Sequence, residues 1–105
     1  MKMEKKYKRP KVYLAGSITN DKNYKEKFNK AEQYLIDLGY IVFNPALSPD
    51  GLTYREYINL GLNMLVQCDC ICILPNSGTS KGTQFEKHYA ELVGMPIINV
   101  FGNKE

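Results

Sequence analysis

Four short apolar segments alternating with three helical ones predict an α/β domain. The expected form is a flavodoxin-like or Rossmann-like doubly wound parallel sheet of about four strands, three layers deep as α/β/α. Three observations carry this. The segments read βαβαβαβ along 105 residues. Residues 70–74, Cys-Ile-Cys-Ile-Leu, form an uninterrupted apolar run, the pattern of a strand covered on both faces. The length suits one core and leaves no room for a second domain.

The first strand is Lys11-Val-Tyr-Leu-Ala15, rich in strand formers and bounded by Pro10 and Gly16. From Lys22 the apolar positions Tyr24, Phe28, Ala31, Leu35 and Leu38 recur at helical spacing, and Gly39 stands where a helix C-cap belongs. Residues 40–44 read as the second strand, stopped by Pro45, and residues 46–52, with Pro49 and Asp50-Gly51, as a loop. Thr53-Tyr-Arg-Glu56 has the spacing of a capping box, and Tyr54, Ile58, Gly61 and Leu65 follow on one face of a second helix reaching about Gln67. The third strand ends at Pro75. After a turn-rich loop over 76–79, Phe85, Tyr89, Leu92 and Val93 give the third helix an apolar stripe until Gly94 and Pro96 close it. Residues 96–101 make the last strand.

Hydrophobic residues make up 44% and charged residues 24%, the balance of a globular chain rather than a disordered or collagen-like one. The net charge of +3 is unevenly spread. Six of the 14 basic residues, Lys2, Lys5, Lys6, Lys8, Arg9 and Lys11, lie in the first eleven positions beside Glu4, so that stretch carries +5 and the remainder −2. Residues 1–10 therefore read as a basic flexible leader on a single domain, 11–105, whose sign argues against nucleic acid as a partner. No apolar run approaches the roughly 20 residues that span a bilayer, and no signal-peptide segment follows the basic start. A soluble, cytoplasmic protein without a membrane partner is expected. Cys68, Cys70 and Cys72 sit two apart, a spacing that forbids pairing on one strand, so reduced buried thiols are expected. With His88 the only histidine, neither a metal site nor a cofactor is predicted.

In an open α/β sheet, ligands bind beyond the carboxyl ends of the strands where successive crossovers go to opposite faces. That point falls between the first and third strands. Gly16-Ser17-Ile18-Thr19 and residues 75–80 meet there, both carrying small and hydroxyl residues that let backbone N–H groups approach an anion. Plain turn chemistry accounts for the same residues, and neither loop is a Walker A or G-x-G-x-x-G pattern. Glu86 lies one turn after Gly82 and one before Ala90, on a helix face cleared of bulk. It reads either as a nucleophile or general base in a pocket, or as a glutamate complementing the helix dipole. Asp69 reads as a strand-end partner of a lysine, and Tyr13 as core with a satisfied hydroxyl.

These positions carry a resemblance. Val12-Tyr-Leu-Ala-Gly-Ser-Ile18, Cys68-Asp69 opening an apolar strand, Ser80-Lys-Gly-Thr-Gln-Phe-Glu86, then His88-Tyr-Ala90 and Gly94 resemble the nucleoside 2-deoxyribosyltransferase-like superfamily over most of the chain. The small phage and bacterial members, with an element like Asn44-Pro45-Ala46 and a step like Leu74-Pro75, look most similar. The resemblance implies cleavage of a nucleoside N-glycosidic bond, with Glu86 as nucleophile, Tyr13 orienting it and Asp69 as acid/base. Gly16, Ser17, Ile18, Asn44, Ser80 and Gly82 are the implied substrate-binding residues. A serine six residues before the nucleophile, here Ser80, is similar to the branch of 2′-deoxynucleoside 5′-monophosphate N-hydrolases, which implies a nucleotide rather than a free nucleoside. The family also implies a homo-oligomer and no metal or organic cofactor. A non-catalytic protein that senses or sequesters a nucleotide or an ADP-ribose-like signal is the alternative.

Overall fold

Strand β1 (Lys11–Ala15) takes the centre of the sheet because residues 12–15 are all buried, and only a strand flanked on both edges and covered on both faces meets that condition. The computed structural model describes residues 8–18, 21–75, 78, 80–99 and 101. After β1 come α1 (Tyr24–Asp37), β2 (Ile41–Phe43), α2 (Tyr54–Leu65), β3 (Cys70–Ile73), α3 (Lys81–Val93) and β4 (Ile97–Ile98). The strands are parallel in the order β2-β1-β3-β4, with Tyr13 opposite Phe43 on one side and Ile71 on the other. The predicted doubly wound fold is what forms. The first crossover turns back to β2, and the next two run outward past β1 to β3 and β4.

Alternate residues of each strand face opposite layers. Val12, Leu14, Cys70 and Cys72 pack under α1 against Phe28, Ala31 and Leu35. Tyr13, Ala15 and Ile71 face α2 and α3, beside Leu65 and Ala90. Fully burying one such aliphatic side chain is worth about 1.5–3 kcal/mol, so these two layers hold the sheet between the helices. No helix among the described residues is long and apolar enough to cross a membrane.

Local signals set most boundaries. The capping box forms as spaced: Thr53 Oγ1 accepts from the Glu56 N–H, and Glu56 Oε1 accepts from the Thr53 N–H. Gly39, at φ 105°, turns the chain out of α1 in a conformation that disfavours any side chain. Helix α1 starts at Tyr24 rather than Lys22 because Asp21 first holds a turn, accepting from the Asn23 N–H on its side chain and the Tyr24 N–H on its carbonyl. At the leader's end Arg9 donates to the carbonyl oxygens of Gly39 and Tyr40, so this residue belongs to the body. Residues 1–7 of the predicted leader, Thr19, most of the 76–79 loop, position 100 of the predicted last strand and residues 102–105 lie outside the described residues.

One expectation is corrected. In the stripe of Phe85, Tyr89, Leu92 and Val93, only Tyr89 packs against the core; Phe85, Leu92 and Val93 are exposed, at 44%, 72% and 55%, while Thr83, Glu86 and Ala90 face the sheet. The two stripes lie side by side on α3, and helical period alone does not choose between them. Close approach to the sheet favours the one with less bulk.

Candidate active site

A cavity of about 330 Å³ opens beyond the carboxyl ends of β1 and β3, within the range of small-ligand sites. Its floor is Tyr13 and Glu86. The Tyr13 hydroxyl donates to Glu86 Oε2 at 2.7 Å, joining the central strand to the second turn of α3. Both are buried, Tyr13 at 1% exposure and Glu86 at 8%. Burial pushes the Glu86 carboxyl up to about 7, against a smaller downward pull from the Tyr13 hydrogen bond. Burial, and then the neighbouring carboxylate, raises Tyr13 far above the ordinary phenol range, so it stays a neutral donor.

The wall beside this pair is α2, and it comes close because residue 61 is glycine. A Cβ there would stand 2.7 Å from the Tyr13 hydroxyl oxygen and 2.9 Å from Glu86 Oε2, closer than such contacts permit. Glycine inside a helix costs about 0.5–1 kcal/mol relative to alanine, which the approach offsets by letting three elements converge. Tyr54, Tyr57 and Ile58 continue that wall, and Pro45 and Ser48 extend it. Tyr57 also straps the loop before α2, donating to the Pro49 carbonyl oxygen.

The opposite rim is the start of α3. Ser80 caps it, its Oγ accepting from the Thr83 N–H and its carbonyl from the Gln84 N–H. That leaves the Ser80 O–H able to donate into the cavity, beside first-turn N–H groups and the Lys81 ammonium, a setting that favours an anion. Gly82 keeps the rim open: a Cβ would stand 3.3 Å from Ile58 Cδ1. Thr83 lines the cavity with its hydroxyl buried and unpartnered among the described residues.

Of the residues chosen from sequence, Tyr13, Gly16, Ile18, Ser80, Gly82 and Glu86 line this one cavity. Ser17 sits between two of them but does not line it. Asn44 is spent on structure, accepting from the Ala46 N–H and donating to Glu32 Oε1, and so shapes the turn Pro45–Leu47 rather than contacting a ligand. Asp69 is a correction. It lies at the amino end of β3, where it accepts from the Lys11 N–H at 2.8 Å while its own N–H donates to the Lys11 carbonyl. A parallel strand carries its two ends to opposite edges of the sheet, so a residue that opens β3 cannot reach a crevice beyond its carboxyl end. The lysine-partner reading describes it, with Lys11 Nζ at 3.9 Å.

Sequence reasoning placed Tyr54 and Gly61 on a helix face without a role, and it gave none to Tyr57, Lys81 or Thr83. Gly82 and Gly61 share a signal that could have found the latter: small residues on the inward faces of two helices that pack over one carboxylate. The thiols contribute nothing here. Burial pushes Cys68 up to about 12 and raises Cys70, so both stay protonated. No group of three potential ligands that could hold a metal occurs among the described residues.

A family model described as a domain of unknown function, DUF4406, matches residues 10–99. Among curated protein sequences none matches the chain. A solved 2-deoxyribosyltransferase from the psychrotolerant bacterium Bacillus psychrosaccharolyticus superposes with a TM-score of 0.66 at 25% identity, over 85% of this chain and 70% of that one. A conserved protein from Enterococcus faecalis V583 superposes with a TM-score of 0.62 at 19% identity, over 88% of this chain and 63% of that one, and speaks for the fold alone. The resemblance to the 2-deoxyribosyltransferase fold is thus borne out in three dimensions.

Proposed function

The chain belongs to the DUF4406 family, and we propose that it cleaves the N-glycosidic bond of a nucleoside 5′-monophosphate, or of the free nucleoside, with Glu86 as nucleophile. One observation carries the reading: a buried carboxylate held by a tyrosine at 2.7 Å on the floor of a ligand-sized cavity at the sheet's switch point. The similarity to a protein described as a 2-deoxyribosyltransferase agrees with it.

The ionised Glu86 attacks C1′ as the bond to the base nitrogen breaks, giving a glycosyl ester through an oxocarbenium-like transition state. Tyr13, donating to Oε2, fixes the carboxylate and leaves Oε1 for the attack. Water then adds at C1′ and releases the sugar, or a second base does so and the reaction is a transfer. The departing base takes a proton from water, since Asp69 is out of reach. Ser80, the α3 N-terminus, Gly82 and Lys81 hold the 5′-phosphate, with Gly16 and Ile18 facing them across the crevice.

A nucleotide-binding sensor or sponge is the second reading, favoured by one finding: the cavity's described lining carries a single carboxylate, where acid/base assistance would use two. Phe85, Leu92 and Val93, exposed along α3, are the surface we assign to a homo-oligomer. To test the reading, wild type and Glu86→Gln are incubated with a panel of nucleosides and 5′-monophosphates, and free base is followed by chromatography. Glu86-dependent release is expected. Tight nucleotide binding with no release from any substrate would replace the enzyme with the sensor.

A further inference from the structure

We infer that Thr83 is a specificity-determining residue whose hydroxyl binds a pentose hydroxyl of the nucleotide, an inference that rests on the function proposed above. Thr83 is only 4% exposed, lines the cavity and has no hydrogen-bond partner for Oγ1 among the described residues. Native proteins leave few buried polar groups unmatched, because the desolvation of such a group goes uncompensated. A ligand hydroxyl supplies the missing partner.

Position identifies which part of the ligand that is. Ser80, Thr83 and Glu86 succeed one another at intervals of three along one stripe of α3. At about 1.5 Å of rise per residue, each step is about 4.5 Å along the helix. With the phosphate at Ser80 and C1′ at Glu86, the atoms facing Thr83 are those between them, namely the pentose. The base is excluded, because displacement at C1′ puts the leaving group on the side away from the nucleophile and so away from α3. A threonine hydroxyl both donates and accepts, so it pairs with an alcohol in either sense.

Thr83→Val keeps the branched shape and removes the hydroxyl. The variant and wild type are compared on the best 5′-monophosphate of the panel and on its 2′-deoxy, 3′-deoxy and 2′,3′-dideoxy forms. An expected loss of about 3- to 10-fold in kcat/KM appears on sugars bearing the contacted hydroxyl and vanishes on the dideoxy form. Thermal unfolding of the ligand-free variant is expected at the same temperature or higher. Equal kcat/KM on every sugar, an equal loss on every sugar including the dideoxy form, or a variant melting several degrees lower would each overturn the inference. Should no Glu86-dependent release occur, the same series is read as nucleotide affinity by calorimetry. A sugar-dependent loss there keeps the Thr83 contact while the catalytic reading fails, and affinity that ignores Thr83→Val, or no binding at all, overturns the contact as well.

Discussion

Two carboxylates stand at opposite edges of the same sheet. At the amino edge Asp69 has a side chain 56% exposed, a backbone N–H donor at 2.8 Å and the Lys11 ammonium nearby. At the carboxyl edge Glu86 is buried, has one neutral donor in Tyr13 and is raised to about 7. Water and a cation satisfy the first, whose ion pair contributes less than about 1 kcal/mol. The second is left short of solvation, which makes its charge reactive and its ionisation sensitive to small changes in the wall around it. Chemical type does not separate these two acids; the edge of the sheet on which each lies does.

The comparison breaks first at Glu86. Replacing it with glutamine is expected to lower base release at least about a thousandfold, measured by initial rates with saturating substrate. The same variant sharpens the burial argument. The folded carboxyl sits at about 7 against an ordinary 4.5, so wild type binds more protons folded than unfolded between those values. The stability from this group is therefore complete below about pH 4.5 and is lost as pH rises to about 7, by roughly 3 kcal/mol. Denaturant titrations across that window are expected to show the decline in wild type and not in Glu86→Gln.

Gly61→Ala comes next. Its Cβ must displace Tyr13, Glu86 or α2 itself, and overpacking of this kind costs typically about 1–3 kcal/mol. A 10- to 100-fold loss in kcat/KM is expected, roughly the same energy expressed in the transition state, together with a lower melting temperature. A fully active Gly61→Ala would show that α2 does not clamp the pair.

A smaller effect is expected of Tyr13→Phe, about tenfold in kcat/KM, with a distinctive direction in pH. The Tyr13 hydroxyl favours the ionised form of Glu86, so its loss raises that carboxyl further, and the rising limb of the pH–rate profile moves from about 7 to higher pH. A limb that stays in place would detach the tyrosine from the carboxylate. Asp69→Asn lies at the bottom of the scale. It is expected to leave base release unchanged and to shift stability by less than about 1 kcal/mol. A loss as large as that of Glu86→Gln would return Asp69 to the chemistry and overturn the placement of the two acids.

Local patterns were legible where a local cause acts. The capping box at Thr53 and Glu56, the glycine after α1, the unbroken apolar run of β3 and the βαβ alternation each follow from chain stereochemistry over a few residues. The switch point between the first and third strands followed too, since right-handed crossovers leave few alternatives. Glu86, Tyr13, Ser80 and Gly82 were singled out because spacing and a family resemblance marked them, and all four line the cavity. Asn44 was misread because the same amide can hold a turn or a ligand, and only the Ala46 N–H and Glu32 beside it decide between them. The apolar stripe of α3 is largely exposed because exposure depends on which stripe the sheet accepts.

By itself the sequence determined the elements, their parallel pairing and the crevice where the chain changes face, since these depend on local propensity and on the handedness of the connections. Tertiary structure alone decided which acid is buried, that a glycine on α2 admits the tyrosine and the glutamate into one contact, and that a threonine at the cavity wall keeps a buried hydroxyl without a partner among the described residues. Those facts join residues from positions 13 to 86, and their energies come from desolvation and close approach, which exist only once the layers have packed.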